Sequence, residues 1–468
     1  MAATTLPGEF MAISSEILVI GGGLAGITSA IAAARTGADV RLVCHKKTSL
    51  RQASGLIDSL GYVPPRTEPE AADEITQRRK DFRTVRTNRG EYEGPLVRPS
   101  DGVSSLPESH PYSILGIEAL HEGLQLFDDI VGDRYCGSHT DRNALIPTLG
   151  GSIKPTSRYP STVSAGLASD DRPMCIVGFR SQTEFDARLI ASNLENADVP
   201  FSVSGIEISF AESLQADARI TRLAKALDHD ETLEGTPIRE ALVEAVKPHL
   251  DDASRVGFPA VLGDDQTDAI RADLSERLGA DVFEIPMGPP SLLGLRLEDL
   301  LYDGLDDEGV QYETGNPVVD YKRDATNGDR IDRVIVDHKG RDVPYHADQY
   351  ILATGGLVGK GIESDRNRVR EPLFDCHVPQ PEDRYEWFVD DAFGDQPFAA
   401  FGVRPDTSMR PLAADGTPSF ENLFAAGSVV GGADIAREKS ASGVSLATGV
   451  IAGQRAADQL EHPSRQHK

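Results

Sequence analysis

Ile17-Leu-Val-Ile-Gly21-Gly22-Gly23-Leu-Ala-Gly26-Ile-Thr-Ser-Ala-Ile-Ala-Ala-Ala-Arg-Thr-Gly-Ala-Asp-Val40-Arg-Leu-Val-Cys44 is the stretch that decides the fold. An apolar strand runs into clustered glycines, a helix of small residues follows, and a second apolar strand closes the unit. Gly21, Gly23 and Gly26 stand at the GxGxxG spacing of a dinucleotide-binding βαβ unit. Each has its own physical task. Gly21 permits a tight turn, Gly23 lets backbone N–H groups approach a phosphate, and Gly26 lets the helix pack close to the strand. Gly22 lies within the same loop. The helix N-terminus then faces an anion, so a phosphate-bearing cofactor is expected here.

One position departs from the pattern. The second strand of such a unit ends in Asp or Glu, which accepts hydrogen bonds from an adenosine ribose. Here it ends in Cys44, followed by His45, Lys46 and Lys47. NAD and full FAD binding are therefore less secure than the glycines suggest, whereas a mononucleotide such as FMN needs no such acid. The basic residues read either as phosphate partners or as solvated surface.

The chain has 468 residues, enough for a large two-domain enzyme. No run of eighteen or more apolar residues predicts a membrane span. No signal peptide is readable, and Met11 is a plausible natural start. Four cysteines, Cys44, Cys136, Cys175 and Cys376, are scattered without a CxxC pair. That argues against a zinc or iron–sulfur site in this chain and suits a reducing cytoplasm. The net charge of −27 is spread along the whole chain. Such a surface does not attract nucleic acid or anionic lipid by charge. It reads as adaptation to a high-salt cytoplasm, where screening is nearly complete.

Residues 63–111 read as a surface excursion with helix near 67–83. Apolar spacing predicts a helix over 112–127. Strands are expected at Met174–Phe179 and Phe201–Phe210 around a helix at 182–196, with further helices at 212–228 and 236–249. Phe258–Gly263 reads as a buried strand and turn. Ile331–Val336 and Arg341–Tyr345 read as paired strands around Lys339-Gly340, and a separate buried strand follows from Ala347.

That strand ends in Ala353-Thr354-Gly355-Gly356, where small residues would let the chain cross beside a cofactor. A third signature lies in Glu421-Asn-Leu-Phe-Ala-Ala-Gly427-Ser428, followed by Gly443-Val444-Ser445 at the start of a final small-residue helix. In flavoproteins with this order the strand end meets the ribityl chain. The final helix there points its N-terminal dipole at the pyrimidine end of the isoalloxazine. The usual acid after that glycine is replaced by Ser428, whose hydroxyl would bond a ribityl oxygen. The three signatures in this order predict an α/β, Rossmann-like two-dinucleotide-domain flavoprotein fold with an inserted α+β cap domain. Residues 14–62 and 290–460 would form the flavin-binding domain and 63–289 the cap or interaction domain. Residues 1–13 and 461–468 would be tails.

Shorter motifs narrow the family: Ser54-Gly55-Leu-Ile-Asp58, Gly150-Gly-Ser-Ile-Lys154-Pro155-Thr156, Phe258-Pro-Ala-Val-Leu-Gly263, Pro289-Pro290-Ser291-Leu-Leu-Gly294-Leu-Arg296-Leu297, Arg370-Glu371-Pro372-Leu-Phe374 and Arg410-Pro411-Leu412. From about residue 15 to 458 this series resembles the B subunits of anaerobic glycerol-3-phosphate dehydrogenases. The resemblance implies a complex of three different chains. A catalytic A component would carry FAD, this chain FMN, and an iron–sulfur C component would meet the membrane as the anchor. The complex would oxidise sn-glycerol 3-phosphate to dihydroxyacetone phosphate and pass electrons to quinone. It would lie in the cytoplasm, peripheral to the inner face of the cell membrane through a partner.

Oxidising a secondary alcohol also needs a base for the hydroxyl proton. No convincing one is readable: His45 and His377 are isolated. The substrate His/Arg set of fumarate-reductase-like flavoproteins is not recognisable either. An electron-relay role is therefore favoured. Should substrate bind here, Lys154, Arg158, Arg296, Arg370 and Lys439 are the candidate phosphate-binding cations. Two other classes stay open. One is a self-sufficient flavin dehydrogenase, with FAD as the alternative cofactor. The other is a flavin-free scaffold.

Overall fold

The computed structural model describes residues 13–46, 49–64, 92–197, 199–211, 220–392 and 394–460. The helix expected at 67–83, most of the two tails and the first part of the 212–228 helix lie outside the described residues. Ile13, assigned to the tail by sequence, begins the first strand.

Seven strands build the main sheet: β1 (Ile13–Ile20), β2 (Val40–Cys44), β3 (Gln311–Thr314), β4 (Val318–Arg323), β5 (Ile331–Asp337), β6 (Asp342–Leu352) and β7 (Leu423–Ala425). Their order is β3-β2-β1-β6-β5-β4, with β7 also on β6. The first four of that order run parallel, and β5 and β4 form an antiparallel flap. β1 shows the consequence in its own residues. Its first half alternates exposed and covered, whereas Ile17–Ile20 are buried on both faces, as a central parallel strand requires.

β6 corrects one expectation. Arg341–Tyr345 and the strand from Ala347 are not separate: residues 342–352 form a single 11-residue strand. It lies along β1 on one side. On the other side, residues 342–346 pair with β5 and Tyr350–Leu352 pair with β7. Two successive partners on one edge make two short patterns of a single element.

Four helices cover this sheet: α1 (Leu24–Ala34), α2 (Ile117–Val131), α3 (Leu292–Asp307) and α4 (Ala441–Asp458). α1 and α4 cross at glycines. A Cβ on Gly449 would stand 2.8 Å from the Ala25 carbonyl oxygen, and one on Gly453 2.3 Å from that of Ser29. α2 approaches α4 in the same way, through Gly123 against Leu446. α2 thus joins the first core through Leu120, Leu124 and Phe127. Much of 106–135 packs on the flavin-type sheet, while a second core gathers residues 146–293 together with Leu56.

The inserted region is also more regular than expected. Its sheet holds four strands in the order Asp281–Ile285, Arg255–Pro259, Met174–Phe179 and Val203–Ile208, all parallel. Helices Ala187–Asn196 and Thr267–Leu278 make the crossovers. The inserted region thus has a parallel sheet at its centre, with small antiparallel pairs around it. Its core holds a buried Arg255, whose guanidinium donates to the carbonyls of Arg172, Ala165 and Leu167 and lies 4.5 Å from the Phe201 ring centre. A buried charge stays only when its donors are satisfied in this way.

The α1–α4 crossing gives a direct test. Gly453→Val forces a side chain into the Ser29 carbonyl and should cost about 3 kcal/mol. Thermal unfolding of the variant should show a clearly lowered midpoint, and an unchanged midpoint would contradict the crossing.

Candidate functional site

The end of β1 turns at Gly21, whose φ is +123° and whose N–H donates to the Val43 carbonyl. A Cβ here would lie 2.1 Å from the Ala353 oxygen, so β1 and the end of β6 touch backbone to backbone. Gly26 is equally constrained, since its Cβ would meet the Gly21 oxygen at 1.9 Å. Gly22 packs against Cys44, with the Sγ 2.8 Å from its Cβ position. Gly23 differs from these three. It precedes α1 with ordinary φ (−78°), and nothing lies within 4 Å of its Cβ position among the described residues. The loop is therefore tight on the protein side and open at Gly23, in front of the α1 N-terminus. That is the form of a phosphate cradle.

The other two signatures converge on the same turn. Gly427 (φ +76°) puts its Cβ position 2.6 Å from Ala25 Cβ and 3.8 Å from Ser445 Oγ, and its N–H donates to Thr448 Oγ1. Ser428 Oγ accepts from the Gly356 N–H at 2.9 Å. Among the described residues the Ser428 hydroxyl proton finds no acceptor. Gly355 (φ +87°) faces Ser428, and Thr354 Oγ1 beside it is buried with no hydrogen-bond partner among the described residues. Gly443 and Val444 are buried at the start of α4, while the Ser445 hydroxyl donates to the Ala441 carbonyl within the helix.

Ser54 and Gly55 are held differently. Gly55 (φ +75°) packs on Leu293 of α3, and its carbonyl accepts from the Tyr135 hydroxyl. It belongs to a wall built on α3 rather than to the glycine turn at Gly21–Gly26. The continuation of this segment does reach α4, because the Gly443 N–H donates to the Asp58 carbonyl and the Gly443 Cβ position lies 2.7 Å from Ser59 Cα.

The end of β2 carries no carboxylate. Cys44 is buried, its thiol pushed up by burial, and the Tyr302 hydroxyl packs beside it. A buried acid does approach this corner from α3, namely Glu298. Its carboxylate is held by Arg51 at 2.8 Å.

Four of the candidate cations are engaged in ion pairs. Lys154 lies 2.6 Å from Asp58, Arg158 holds Asp128 at 2.7 Å, Arg296 holds the buried Glu284 at 2.6 Å, and Arg370 meets Glu363 at 3.4 Å. The fifth, Lys439, sits at φ +54° just before α4 and interacts electrostatically with Asp58. His45 and His377 are exposed. The Arg370–Phe374 motif is a turn built on Glu371, whose buried carboxylate accepts from the N–H groups of Leu373, Phe374 and Cys376.

A polar group that sequence reading missed lies at this end of α4. His110 is fully buried, its Nδ1 accepts from the Tyr112 N–H, and its Nε2 lies 3.1 Å from Glu438. An Nδ1 acceptor places the proton on Nε2, aimed at the carboxylate. Glu438 also takes the Ser440 hydroxyl at 2.7 Å and the Asp434 N–H at 3.0 Å. The partners are 328 residues apart, and no local pattern marks them.

The residues present fit a flavin: an open glycine before α1, an orphaned Thr354 hydroxyl, an available Ser428 proton, and a helix N-terminus. Among the described residues, no group of three or more His, Cys, Asp or Glu is placed to hold a metal ion. Among them too, no helix is long and apolar enough to cross a membrane.

The chain matches known proteins over nearly all of its length. The family described as "FAD binding domain" matches residues 16–444. A Halobacterium salinarum protein, named as a probable B subunit of anaerobic glycerol-3-phosphate dehydrogenase, is 50% identical over 96% of this chain and 99% of its own. A Pectobacterium atrosepticum protein, named as the B subunit of the same enzyme, is 27% identical over 92% and 96%. Among solved structures, the 3-ketosteroid Δ1-dehydrogenase of Sterolibacterium denitrificans aligns over 95% of this chain and 99% of its own. The identity is 11% and the TM-score 0.41.

The glycines separate site from scaffold. Gly23→Val has room in the fold but enters the opening, so it should leave the unfolding midpoint nearly unchanged and weaken flavin retention about tenfold or more. Gly26→Val meets the Gly21 carbonyl and should lower the midpoint itself. Thermal unfolding beside flavin absorbance checks both.

Proposed function

This chain belongs to the B-subunit family of anaerobic glycerol-3-phosphate dehydrogenases and carries its FAD binding domain; from that premise we propose that it is the electron-relay flavoprotein of the complex. The complex oxidises sn-glycerol 3-phosphate to dihydroxyacetone phosphate. A catalytic A component bearing FAD takes the electrons first, this chain relays them, and an iron–sulfur C component delivers them to quinone at the membrane. This chain sits on the cytoplasmic side and meets the inner face of the cell membrane only through that partner.

The resident flavin is FMN, and the observation that carries this is the end of β2. Where an adenosine ribose would need an acid, Cys44 is buried against Gly22 and Tyr302, and the nearby Glu298 is committed to Arg51. A flavin without an adenosine half makes no demand on that corner. When bound, it supplies the exchange of electron pairs for single electrons.

The chain's own residues divide the work around it. The site residues are Gly21, Gly22, Gly23 and Gly26 with Ala353, Thr354, Gly355 and Gly356, then Gly427 and Ser428, then Gly443, Val444 and Ser445. Ser54 and Gly55 line the wall that continues to α4. The α1 N-terminus beside Gly23 takes the phosphate. Thr354 and Ser428 offer hydroxyls to the ribityl chain. The N-terminal N–H groups of α4 favour negative charge on the reduced ring.

The absorbance spectrum of the purified chain, with mass identification of the acid-released cofactor, tests this. FMN is the expected result. FAD would overturn the reading of Cys44, and a chain colourless after reconstitution would overturn the relay.

A further inference from the structure

Exposed apolar surface is concentrated in one loop. Among the described residues few large apolar side chains face solvent, and four of them, Tyr385, Phe388, Val389 and Phe398, fall within residues 385–398. Tyr385 is 74% exposed. The loop is built rather than loose. Asp383 caps its first short turn, the Trp387 indole N–H donates to the Pro381 carbonyl, and the Phe398 N–H donates to the Trp387 carbonyl. The Gln396 side chain bridges its arms, accepting from the Val389 N–H and donating to the Asp391 carbonyl. Trp387 and Phe401 meet edge to face and pack on the first core. These two rings anchor the loop while Tyr385, Phe388, Val389 and Phe398 stay in water.

The loop is attached beside the flavin signatures. The Gly432 N–H donates to the Ala400 carbonyl, and a Cβ on Gly402 would lie 2.5 Å from the Val429 oxygen. Both contacts fall just after Ser428. Asp395 pairs with Arg437 in the segment that leads into α4. From its other side Ser428 touches the Gly355-Gly356 turn, since a Cβ on Gly356 would lie 2.7 Å from the Ser428 oxygen. That turn continues into Val358, which is fully exposed. Val358 and the aromatic loop are thus both anchored at the Ser428 segment.

We propose that the 385–398 loop, together with Val358, is the docking surface for a redox-active companion protein, one that presents an apolar patch rimmed by lysine and arginine. The companion's redox task rests on the relay reading; the surface itself does not. Clustered exposed apolar groups on a soluble chain mark an interaction site, and tyrosine and phenylalanine are the side chains that anchor protein interfaces. Charge selects the occupant. Residues 382–395 carry six carboxylates and one arginine. A second copy seated on the same face would set like charges against each other, and an anionic membrane would be repelled in the same way. A basic rim is attracted instead. Salt screens those rim pairs but not the apolar contact. The aromatic side chains therefore carry the affinity, and the acids choose the partner. A companion seated here would lie next to the segment that offers Ser428 to the flavin.

The complex itself, purified in KCl through a tag on this chain from cells that also express its companion subunits, tests the surface. Each co-purified subunit is identified by mass and by its own flavin or iron–sulfur absorbance. The combined variant Tyr385→Ser, Phe388→Ser and Phe398→Ser should lower the yield of a redox-active companion about tenfold or more. Leu189→Ser, equally exposed but on the inserted region, should retain it. An unchanged unfolding midpoint of the combined variant shows an intact chain. If that variant fails to fold, Glu386→Lys with Asp390→Lys should weaken capture several-fold, and more at low KCl than at high. A folded combined variant that keeps every companion at full stoichiometry overturns the surface. So does a dimer of the isolated chain that the combined variant dissolves, or flotation of the isolated wild type with phosphatidylglycerol vesicles that the variant loses. Flavin absorbance separates this from the relay. A colourless wild type whose redox-active companion is lost in the combined variant loses the relay alone. A yellow wild type whose combined variant keeps every companion loses this surface alone.

Discussion

The contact on which the rest depends is the backbone crossing of Gly21 with Ala353. A Cβ at Gly21 would lie 2.1 Å from the Ala353 oxygen, closer than any side chain allows. The close approach lets Ala353 N–H donate to Ile20 and keeps β6 in parallel register with β1 up to its last residue. β7 then pairs with Tyr350–Leu352, and the chain leaves it at Gly427, against Ala25. Three segments far apart in sequence thus meet at one helix N-terminus. At its closest points the meeting exists because side chains are missing from it, and the Thr448 and Ser428 hydroxyls then tie its backbone.

This is also why so much of the site was legible. A motif made of absent side chains must be spelled in glycine and alanine, and the three signatures at Gly21, Ala353 and Gly427 are spelled so. The buried strands were legible for a related reason, because doubly covered strands read as apolar runs. What was not legible depends on partners. β6 reads as two strands because its outer neighbour changes from β5 to β7 halfway along. The parallel sheet of the inserted region has no glycine fingerprint, and its order emerges only from which strand lies beside which. The pairing of Lys154 with Asp58, or of Arg296 with Glu284, is a three-dimensional fact that residue type does not encode.

Charge divides along the same line. At molar salt the screening length falls to about 3 Å, so an exposed pair such as Lys322–Asp320 contributes little. A surface of this negative charge, in a chain half identical to a relative from Halobacterium salinarum, then leaves stability to burial and to shielded pairs. The shielded pairs sit at junctions. Arg296–Glu284 ties α3 to the inserted sheet, Arg158–Asp128 ties the inserted region to α2, and Lys154–Asp58 ties it to the loop against α4. Water and salt reach these least, so they fix the two cores relative to each other when surface pairs do not.

The His110–Glu438 pair extends that logic to the start of α4. A buried carboxylate placed one residue before Lys439 would be costly alone. Here it receives His110, Ser440 and the Asp434 N–H, while its carbonyl receives Gly61 and Tyr62. The segment therefore has one well-satisfied arrangement, and in that arrangement Lys439 takes a left-handed backbone beside Asp58. A flexible lysine on an ordinary turn would give the same charge without the same position. A left-handed turn, a buried histidine and a buried glutamate together fix the segment that leads into α4.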